Sequence, residues 1–269
     1  MRLYNLKNLF KVCLYLERSQ LKQVITTHHW QEICGPSAVG KSTFLKFLQL
    51  NSEQSAQNYS AHIVPEVDFR SLFNVGNRAD FTFIDRQIAF ATAAMGCLND
   101  AIEQSPRVIA DAGIVTILVF TFARLLDESN GKSDAATFAQ RMKVNLKSLP
   151  GLSGIVVLNT STFQLRLRKN ADTLRNRTAH EENLKTWKLM LPFFEKLRTK
   201  CPGHVRILRA SDAPPTLFPR IQNALKELET SAEAQGQLLF CDIIDFLHEE
   251  FLNHFTAQKD FSKKHVGSN

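Results

Sequence analysis

The feature that most constrains this chain is a short glycine-containing stretch near residue 40. It follows the pattern G-x-x-x-x-G-K-S-T, with the residues Gly35-Pro36-Ser37-Ala38-Val39-Gly40-Lys41-Ser42-Thr43. Gly35 and Gly40 allow backbone turns that a side chain would block, so successive N–H groups can converge on a polyphosphate. Lys41 places a positive charge on the β- and γ-phosphates, and the Ser42 hydroxyl is suited to ligate Mg²⁺. The stretch predicts a site for a nucleoside triphosphate and Mg²⁺; the alternative is a glycine-containing turn without a chemical role.

The residues on either side of this loop support the chemical interpretation. A phosphate-binding loop joins a strand to the N-terminus of a helix, where backbone N–H groups bind anions. Residues 30–34 are predicted to form the strand, although Gln31 and Glu32 interrupt its apolar character. Residues 43–50 are predicted to open the helix. The loop in this context identifies a ligand, but it does not say what is done with that ligand.

Composition and charge limit the classes of partner. The chain has 269 residues, of which 44% are hydrophobic and 22% charged, enough for one large α/β domain or two small ones. A net charge of +7 is compatible with nucleic acid, an acidic membrane surface or phosphorylated ligands. Because a phosphate-binding loop is present, we favour phosphorylated ligands and do not expect nucleic acid.

Cysteine use and hydropathy bear on the cell compartment. The five cysteines are odd in number and widely spaced, and no C-x-x-C pair occurs, which disfavours a disulfide framework or a zinc site. The longest apolar run, residues 114–126, is too short for a membrane span and contains polar residues. The first residues lack the apolar core of a secretory signal. We therefore expect a cytoplasmic protein.

Residues 1–27 are predicted to form a basic amphipathic helix. Leucine and phenylalanine side chains recur there at helical spacing, while Lys7, Lys11, Arg18 and Lys22 share another face. Such a helix could contact a membrane surface or act as a targeting segment. We favour a helix that packs on the domain by its apolar stripe with its basic face in water, and we leave peripheral membrane contact open.

Strand and helix patterns alternate through the rest of the chain. Further strands are predicted at 61–67, 107–113, 154–159 and 205–208, and helices at 81–104, 114–126, 134–149, 179–199, 217–232 and 238–255. This alternation predicts an α/β fold of three layers, in which helices cover both faces of a parallel sheet. We predict an N-terminal helical extension at 1–29, a phosphate-loop domain at 30–232, and a C-terminal helix with a polar tail at 233–269.

Several families with phosphate loops are disfavoured because their other motifs are missing. The chain has no guanine-binding N-K-x-D after the strand at 154–159 and no L-S-G-G-Q transporter signature, and Ala112 follows Asp111 where AAA-type ATPases place Glu. What remains resembles the nucleoside and nucleotide kinases, namely the deoxynucleoside kinases and thymidylate kinases. The resemblance spans residues 30–212. It is carried by the loop, by Pro65-Glu66-Val67, by Asp111 at a strand end, and by Arg166-Leu167-Arg168 with Arg175-Asn176-Arg177 ahead of Glu181-Glu182.

This resemblance implies an ATP-dependent phosphotransferase that requires Mg²⁺ and a small-molecule acceptor. Lys41 would hold the phosphate donor, and a lid carrying Arg168, Arg175 and Arg177 would close over the transferred group. Either Glu66 or Asp111 would accept the proton of the acceptor, and we prefer Glu66 as the base, with Asp111 and Ser42 as metal partners. The stretch Ala213-Pro214-Pro215 is where adenine rests in this group. The chain departs from the family by lacking Arg after Asp111 and by inverting the order of Glu and Pro around residue 66.

Other interpretations remain open for the same residues. The basic run beside two glutamates is also typical of a solvated helix face, and Glu66 also suits an ordinary loop carboxylate. Arg70, Arg78 and Arg86 are candidates to bind an anionic substrate or simply surface residues. The alternative function is a regulatory or partner-coupled NTPase that uses ATP binding to move its terminal helices. A homodimer is also left open.

Overall fold

The computed structural model describes residues 28–52, 61–68, 81–172 and 179–266. The predicted basic helix at 1–27 lies outside the described residues, and so do Arg70, Arg78, Arg175 and Arg177. No described helix is long and apolar enough to span a bilayer.

A parallel sheet forms the centre of the described chain. Its strands are β1 (His29–Cys34), β2 (His62–Val64), β3 (Arg107–Asp111), β4 (Gly154–Asn159) and β5 (Val205–Arg209). They lie in the order β2-β3-β1-β4-β5, and every neighbouring pair is parallel. The apolar run of β4 suits a strand buried on both faces. Because β1 lies at the centre, the loop that follows it opens at the carboxyl edge between β3 and β4.

Eight helices accompany these strands in the described residues. They are α1 (Lys41–Ser52), α2 (Phe83–Gln104), α3 (Ile114–Leu125), α4 (Gly131–Leu146), α5 (Thr162–Ala171), α6 (His180–Lys200), α7 (Pro214–Gln235) and α8 (Phe240–Val266). Two clusters of buried side chains lie on opposite faces of the sheet. One lies under α2, α3, α4, α6 and α8, and the other under α1, α5 and α7 with Leu184 from the first turns of α6. The predicted three-layer α/β fold is therefore confirmed.

The first residues of α2, α4 and α7 differ from the predicted ones because of the residues at their N-termini. Helix α2 begins after Thr82, whose hydroxyl accepts a hydrogen bond from Asp85 N at 3.1 Å, rather than after Asp80. Helix α4 begins at Gly131, so Asp134 lies in its first turn and does not cap it. Helix α7 begins three residues earlier than predicted, at Pro214, because proline is favoured in a first helical turn.

The C-terminal helix α8 belongs to the larger of the two apolar clusters. Phe240, Ile244, Leu247 and Phe251 are buried there, and the Phe240 ring stacks on Trp30 of β1 with centroids 5.6 Å apart. Helix α7 extends past residue 232, where the sequence predicted a boundary. The division at 30–232 and 233–269 stays a prediction.

A histidine on α8 provides a pH test of this packing. The His248 ring stacks on Phe122 of α3, and its Nε2 has no hydrogen-bond partner in the described part of the chain. Burial lowers the pKa of the His248 imidazole, Lys143 acts in the same direction and Asp245 opposes both.

We expect acidification to destabilise the protein partly through His248. Its folded pKa lies below the unfolded value of about 6.5, so the unfolded state binds more protons as the pH falls. Its contribution is present above about pH 6.5 and is lost as the pH falls through the folded pKa. Melting temperatures between about pH 7.5 and pH 5.5 should fall more steeply for the wild-type protein than for His248→Leu. Equal slopes would contradict this prediction.

Candidate functional site: a phosphate loop at the mouth of a large cavity

The loop at residues 35–43 has a backbone that side-chain-bearing residues rarely adopt. Gly40 has a φ of 110° and Ala38 a φ of 70°, both in the left-handed region. A Cβ on Gly35 would lie 2.7 Å from the carbonyl oxygen of Leu158, so the loop passes against the end of β4 only because residue 35 is glycine. The conformation that the glycines permit thus ties the loop to the carboxyl edge of the sheet.

The two reactive side chains of the loop have defined partners. Lys41 Nζ donates a hydrogen bond to the carbonyl oxygen of Gly35 at 2.9 Å, so the ammonium group folds back over the loop. Ser42 Oγ donates to Asp111 Oδ2 at 3.3 Å. Asp111 ends β3 as the register partner of Ile33 in β1, and it is 7% exposed. The sheet register therefore brings together Ser42 and Asp111, which lie 69 residues apart in sequence.

The Ser42 hydroxyl and the Asp111 carboxylate fit a magnesium ion. Mg²⁺ prefers oxygen ligands and is commonly held by one or two protein groups together with phosphate oxygens and water. The Ser42 hydroxyl in the phosphate loop and the neighbouring Asp111 carboxylate at the end of β3 supply two oxygen ligands of this kind. The assignment of these two residues to a metal stays a prediction.

A cavity of about 800 Å³ opens in front of the loop. The whole loop lines it, together with Glu66 from the segment after β2 and Arg168 from α5. Ser211, Asp212 and Ala213, between β5 and α7, form another part of its wall together with Pro214, the first residue of α7. The cavity thus brings Lys41, Ser42, Glu66 and Arg168 to one space. Asp111 is not part of its lining and lies behind Ser42.

The arginines of α5 point in different directions. Arg168 Nη1 donates to the carbonyl oxygen of Val39 in the loop at 2.9 Å. Arg166 instead forms two hydrogen bonds with the Glu181 carboxylate, at 3.0 and 2.7 Å, and both side chains are exposed. This pairing lowers the pKa of the Glu181 carboxyl. Arg168 therefore lies at the site, while Arg166 belongs to the solvated surface that the sequence also suggested.

Two further candidates are less closely tied to the loop. Glu66 is exposed at the cavity wall, directly after Pro65, so its role as the base stays a prediction. Arg86 lies near the start of α2 and donates to the carbonyl oxygen of Phe81 at 2.9 Å, and it is not part of the cavity lining.

The sequence did not identify the neutral wall of the cavity. This wall, defined as the cavity-lining side chains of α3 and α6, consists of Thr116, Phe120, Asn183, Thr186, Trp187 and Met190. Trp187 Nε1 donates to Asn159 Oδ1 at the end of β4, at 3.1 Å. The α6 members recur at helical spacing, but an apolar stripe at that spacing is equally typical of a core, so periodicity alone could not single them out.

Known proteins resemble this chain in structure but not detectably in sequence. No family profile and no curated protein matches the sequence. Deoxyadenosine kinase from M. mycoides with bound dATP has a similar structure at 19% identity, with 74% of this chain and 100% of that chain covered and a TM-score of 0.52. Thymidylate kinase from Candida albicans is similar at 15% identity, with 76% and 94% covered and a TM-score of 0.50. The resemblance that the sequence indicated is confirmed at the level of architecture: this chain has the fold of the P-loop nucleoside and nucleotide kinases.

Proposed function

We propose that the protein is an ATP-dependent phosphotransferase that transfers the γ-phosphate to a hydroxyl or phosphate group of a nucleoside- or nucleotide-like small molecule. One observation carries the proposal. The phosphate loop, with Lys41 and with Ser42 hydrogen-bonded to Asp111, opens on the same 800 Å³ cavity that Arg168 and Glu66 line. The fold shared with deoxyadenosine kinase and thymidylate kinase supports it.

The charges around the loop suit phosphate transfer. Phosphoryl transfer depends mainly on positioning and on positive charge near the transferred group. Lys41 and Arg168 both contact carbonyl oxygens of the loop, Gly35 O and Val39 O, at 2.9 Å. Phosphate oxygens bound in the loop would compete for the same donors, because hydrogen bonds between charged partners are stronger. These contacts support a role for both cations in binding a triphosphate.

Ser42 and Asp111 would hold Mg²⁺ in this proposal, and Glu66 would take the proton of the acceptor. The ion would neutralise the developing charge on the phosphate oxygens. Glu66 is exposed and lines the cavity, so an acceptor in the cavity can reach its carboxylate. A site that excludes water would protect ATP from hydrolysis, and in this proposal the α5 segment with Arg168 would provide that cover.

The neutral wall supports an acceptor with a ring. Phe120 and Trp187 offer aromatic surface, while Thr116, Asn183 and Thr186 offer neutral hydrogen-bonding groups. Aromatic side chains favour stacking or edge contacts with planar rings. A volume of about 800 Å³ is within the range of small-molecule sites.

We expect incubation with ATP, Mg²⁺ and a metabolite extract to yield a new phosphorylated compound, identified by mass spectrometry. The Lys41→Ala variant should form far less of it under the same conditions, which separates this activity from contaminating kinases. Purified nucleosides and nucleoside monophosphates then identify the acceptor. Slow formation of ADP with no phosphorylated product from any acceptor would contradict the kinase proposal and favour the partner-coupled NTPase.

A further inference from the structure

A buried carboxylate lies on the strand that leads to the loop. Glu32 is in β1, three residues before Gly35, and its side chain is 0% exposed. Its Oε2 accepts a hydrogen bond from Val115 N at 2.9 Å. Its Oε1 accepts from Thr116 N at 2.7 Å, from Thr116 Oγ1 at 2.6 Å and from the Cys34 thiol at 3.3 Å. A carboxylate in such a place needs these partners, because burial of an unpaired charge is costly.

The backbone donors belong to the first turn of α3. The first N–H groups of a helix lack partners within the helix, and the N-cap residue of α3 is Gly113, which has no side chain to supply one. Glu32 of β1 provides the missing acceptor, although it lies 83 residues before Val115 in sequence. A negative charge is also favourable at the positive end of a helix dipole. Glu32 thus closes the N-terminus of α3.

The turn between β3 and α3 is fitted around this carboxylate. A Cβ on Gly113 would lie 3.0 Å from Glu32 Oε2 and 3.0 Å from Ala110 Cβ. Ala112 has a φ of 51°, in the left-handed region that alanine rarely adopts, and its N–H donates to Ile33 O at 3.0 Å. This strained turn begins directly after Asp111, whose carboxylate meets Ser42. The turn therefore links Asp111, which the sheet register sets beside Ile33, directly to the helix end that Glu32 holds.

We propose that Glu32 is a positioning residue that sets Asp111 against Ser42 by anchoring the turn between β3 and α3. The inference rests on the proposed function, because it takes Asp111 and Ser42 as the metal partners of a bound nucleotide. It assigns Glu32 no contact with nucleotide or metal. Thr116 adds a second link, since it lines the cavity and donates its hydroxyl to Glu32.

Burial raises the pKa of the Glu32 carboxyl above its ordinary value, although the hydrogen bonds from Thr116, Val115 and Cys34 act in the opposite direction. These donors offset part of the cost of burying the charged carboxylate. Glutamine has nearly the same shape but presents an NH₂ group where Glu32 has a second acceptor. That NH₂ would face an N–H or hydroxyl donor of the turn, so Glu32→Gln should weaken the hydrogen bonds that hold the turn. Because the two side chains have nearly the same size, the substitution should leave no cavity.

The test measures ADP affinity by titration calorimetry with and without Mg²⁺. In the wild-type protein, Mg²⁺ should tighten ADP binding. In Glu32→Gln, ADP affinity without Mg²⁺ should stay close to wild type, while the tightening by Mg²⁺ should fall by roughly tenfold, as is typical when a partner that orients a metal ligand is changed. Thr116→Val should show a smaller loss in the same direction, and it keeps the inference testable if Glu32→Gln does not fold.

Gln31 provides the matched control. It is the neighbouring buried polar residue of β1, but its Nε2 donates to Leu225 O at 2.6 Å in α7, away from the turn. Gln31→Met should lower the melting temperature and leave the effect of Mg²⁺ unchanged. If Glu32→Gln and Thr116→Val also keep the full effect of Mg²⁺, their role is only structural and the inference is overturned.

The measurement separates this inference from the proposed function. It needs only ADP and Mg²⁺, so a lack of phosphorylated product with any acceptor would overturn the kinase proposal while the Mg²⁺ effect in Glu32→Gln still supports the inference. Failure of the wild-type protein to bind ADP would overturn both.

Discussion

Replacement of Lys41 by alanine is expected to lower kcat/KM for phosphate transfer by roughly 10²–10³-fold, the usual cost of removing one preorganised donor from a developing charge. Lys41 Nζ contacts the loop carbonyl of Gly35 at 2.9 Å and lies on the cavity that would hold the triphosphate. Its charge should count more in the transition state than with bound substrate, so the loss should fall mainly on kcat. Initial rates measured with the acceptor that mass spectrometry identifies give both kcat and KM.

Lys46→Ala is the matched control for this variant. Lys46 lies on the same helix, α1, and is exposed to solvent, so the change removes the same side chain and the same charge away from the cavity. Lys46→Ala should keep nearly full activity, and both variants should have melting temperatures close to that of the wild-type protein. A folded Lys41→Ala protein that retains more than about a tenth of wild-type kcat/KM would contradict the assigned role of Lys41.

The features that the sequence predicted correctly are those with short-range causes. Continuous apolar runs such as residues 154–159 suit strands buried on both faces, and the observed β4 has the predicted bounds. The glycines of the loop are needed by local backbone geometry, with φ of 110° at Gly40. The alternation of strands and helices then leaves few ways to cover a parallel sheet, which is why the three-layer fold could be predicted.

The features that the sequence could not predict depend on distant partners. Gln31 and Glu32 interrupt an apolar run, yet both are fully buried, because Gln31 binds Leu225 O and Glu32 binds the first turn of α3. Their partners lie 194 and 83 residues away, beyond the reach of local patterns. Local patterns could not identify the neutral wall for the same reason. Helical spacing predicts that Trp187 is buried, but it does not predict whether Trp187 packs in a core or lines a cavity.

Arg166 and Arg168 show how little the local sequence pattern says about which side chains of α5 face the site. The contrast between these two arginines gives the second prediction with a large expected effect. Both stand in the same basic run, and only the resemblance to the kinases, not the local pattern, assigned Arg168 rather than Arg166 to the lid. We expect Arg168→Ala to lower kcat roughly 10²-fold, because its guanidinium lies on the loop at Val39 O, where it can neutralise charge on the transferred phosphate.

Arg166→Ala should leave kcat nearly unchanged, because Arg166 is exposed and pairs with Glu181, and exposed ion pairs contribute little to stability. The two variants remove the same side chain from one helix at positions two residues apart, so general effects on α5 should be shared. Single-turnover measurements with saturating ATP would attribute a loss to the transfer step rather than to product release. Equal losses in both variants would show that α5 acts through its fold or its total charge. A loss confined to Arg168 would show instead that the direction of one guanidinium decides the contribution of this helix.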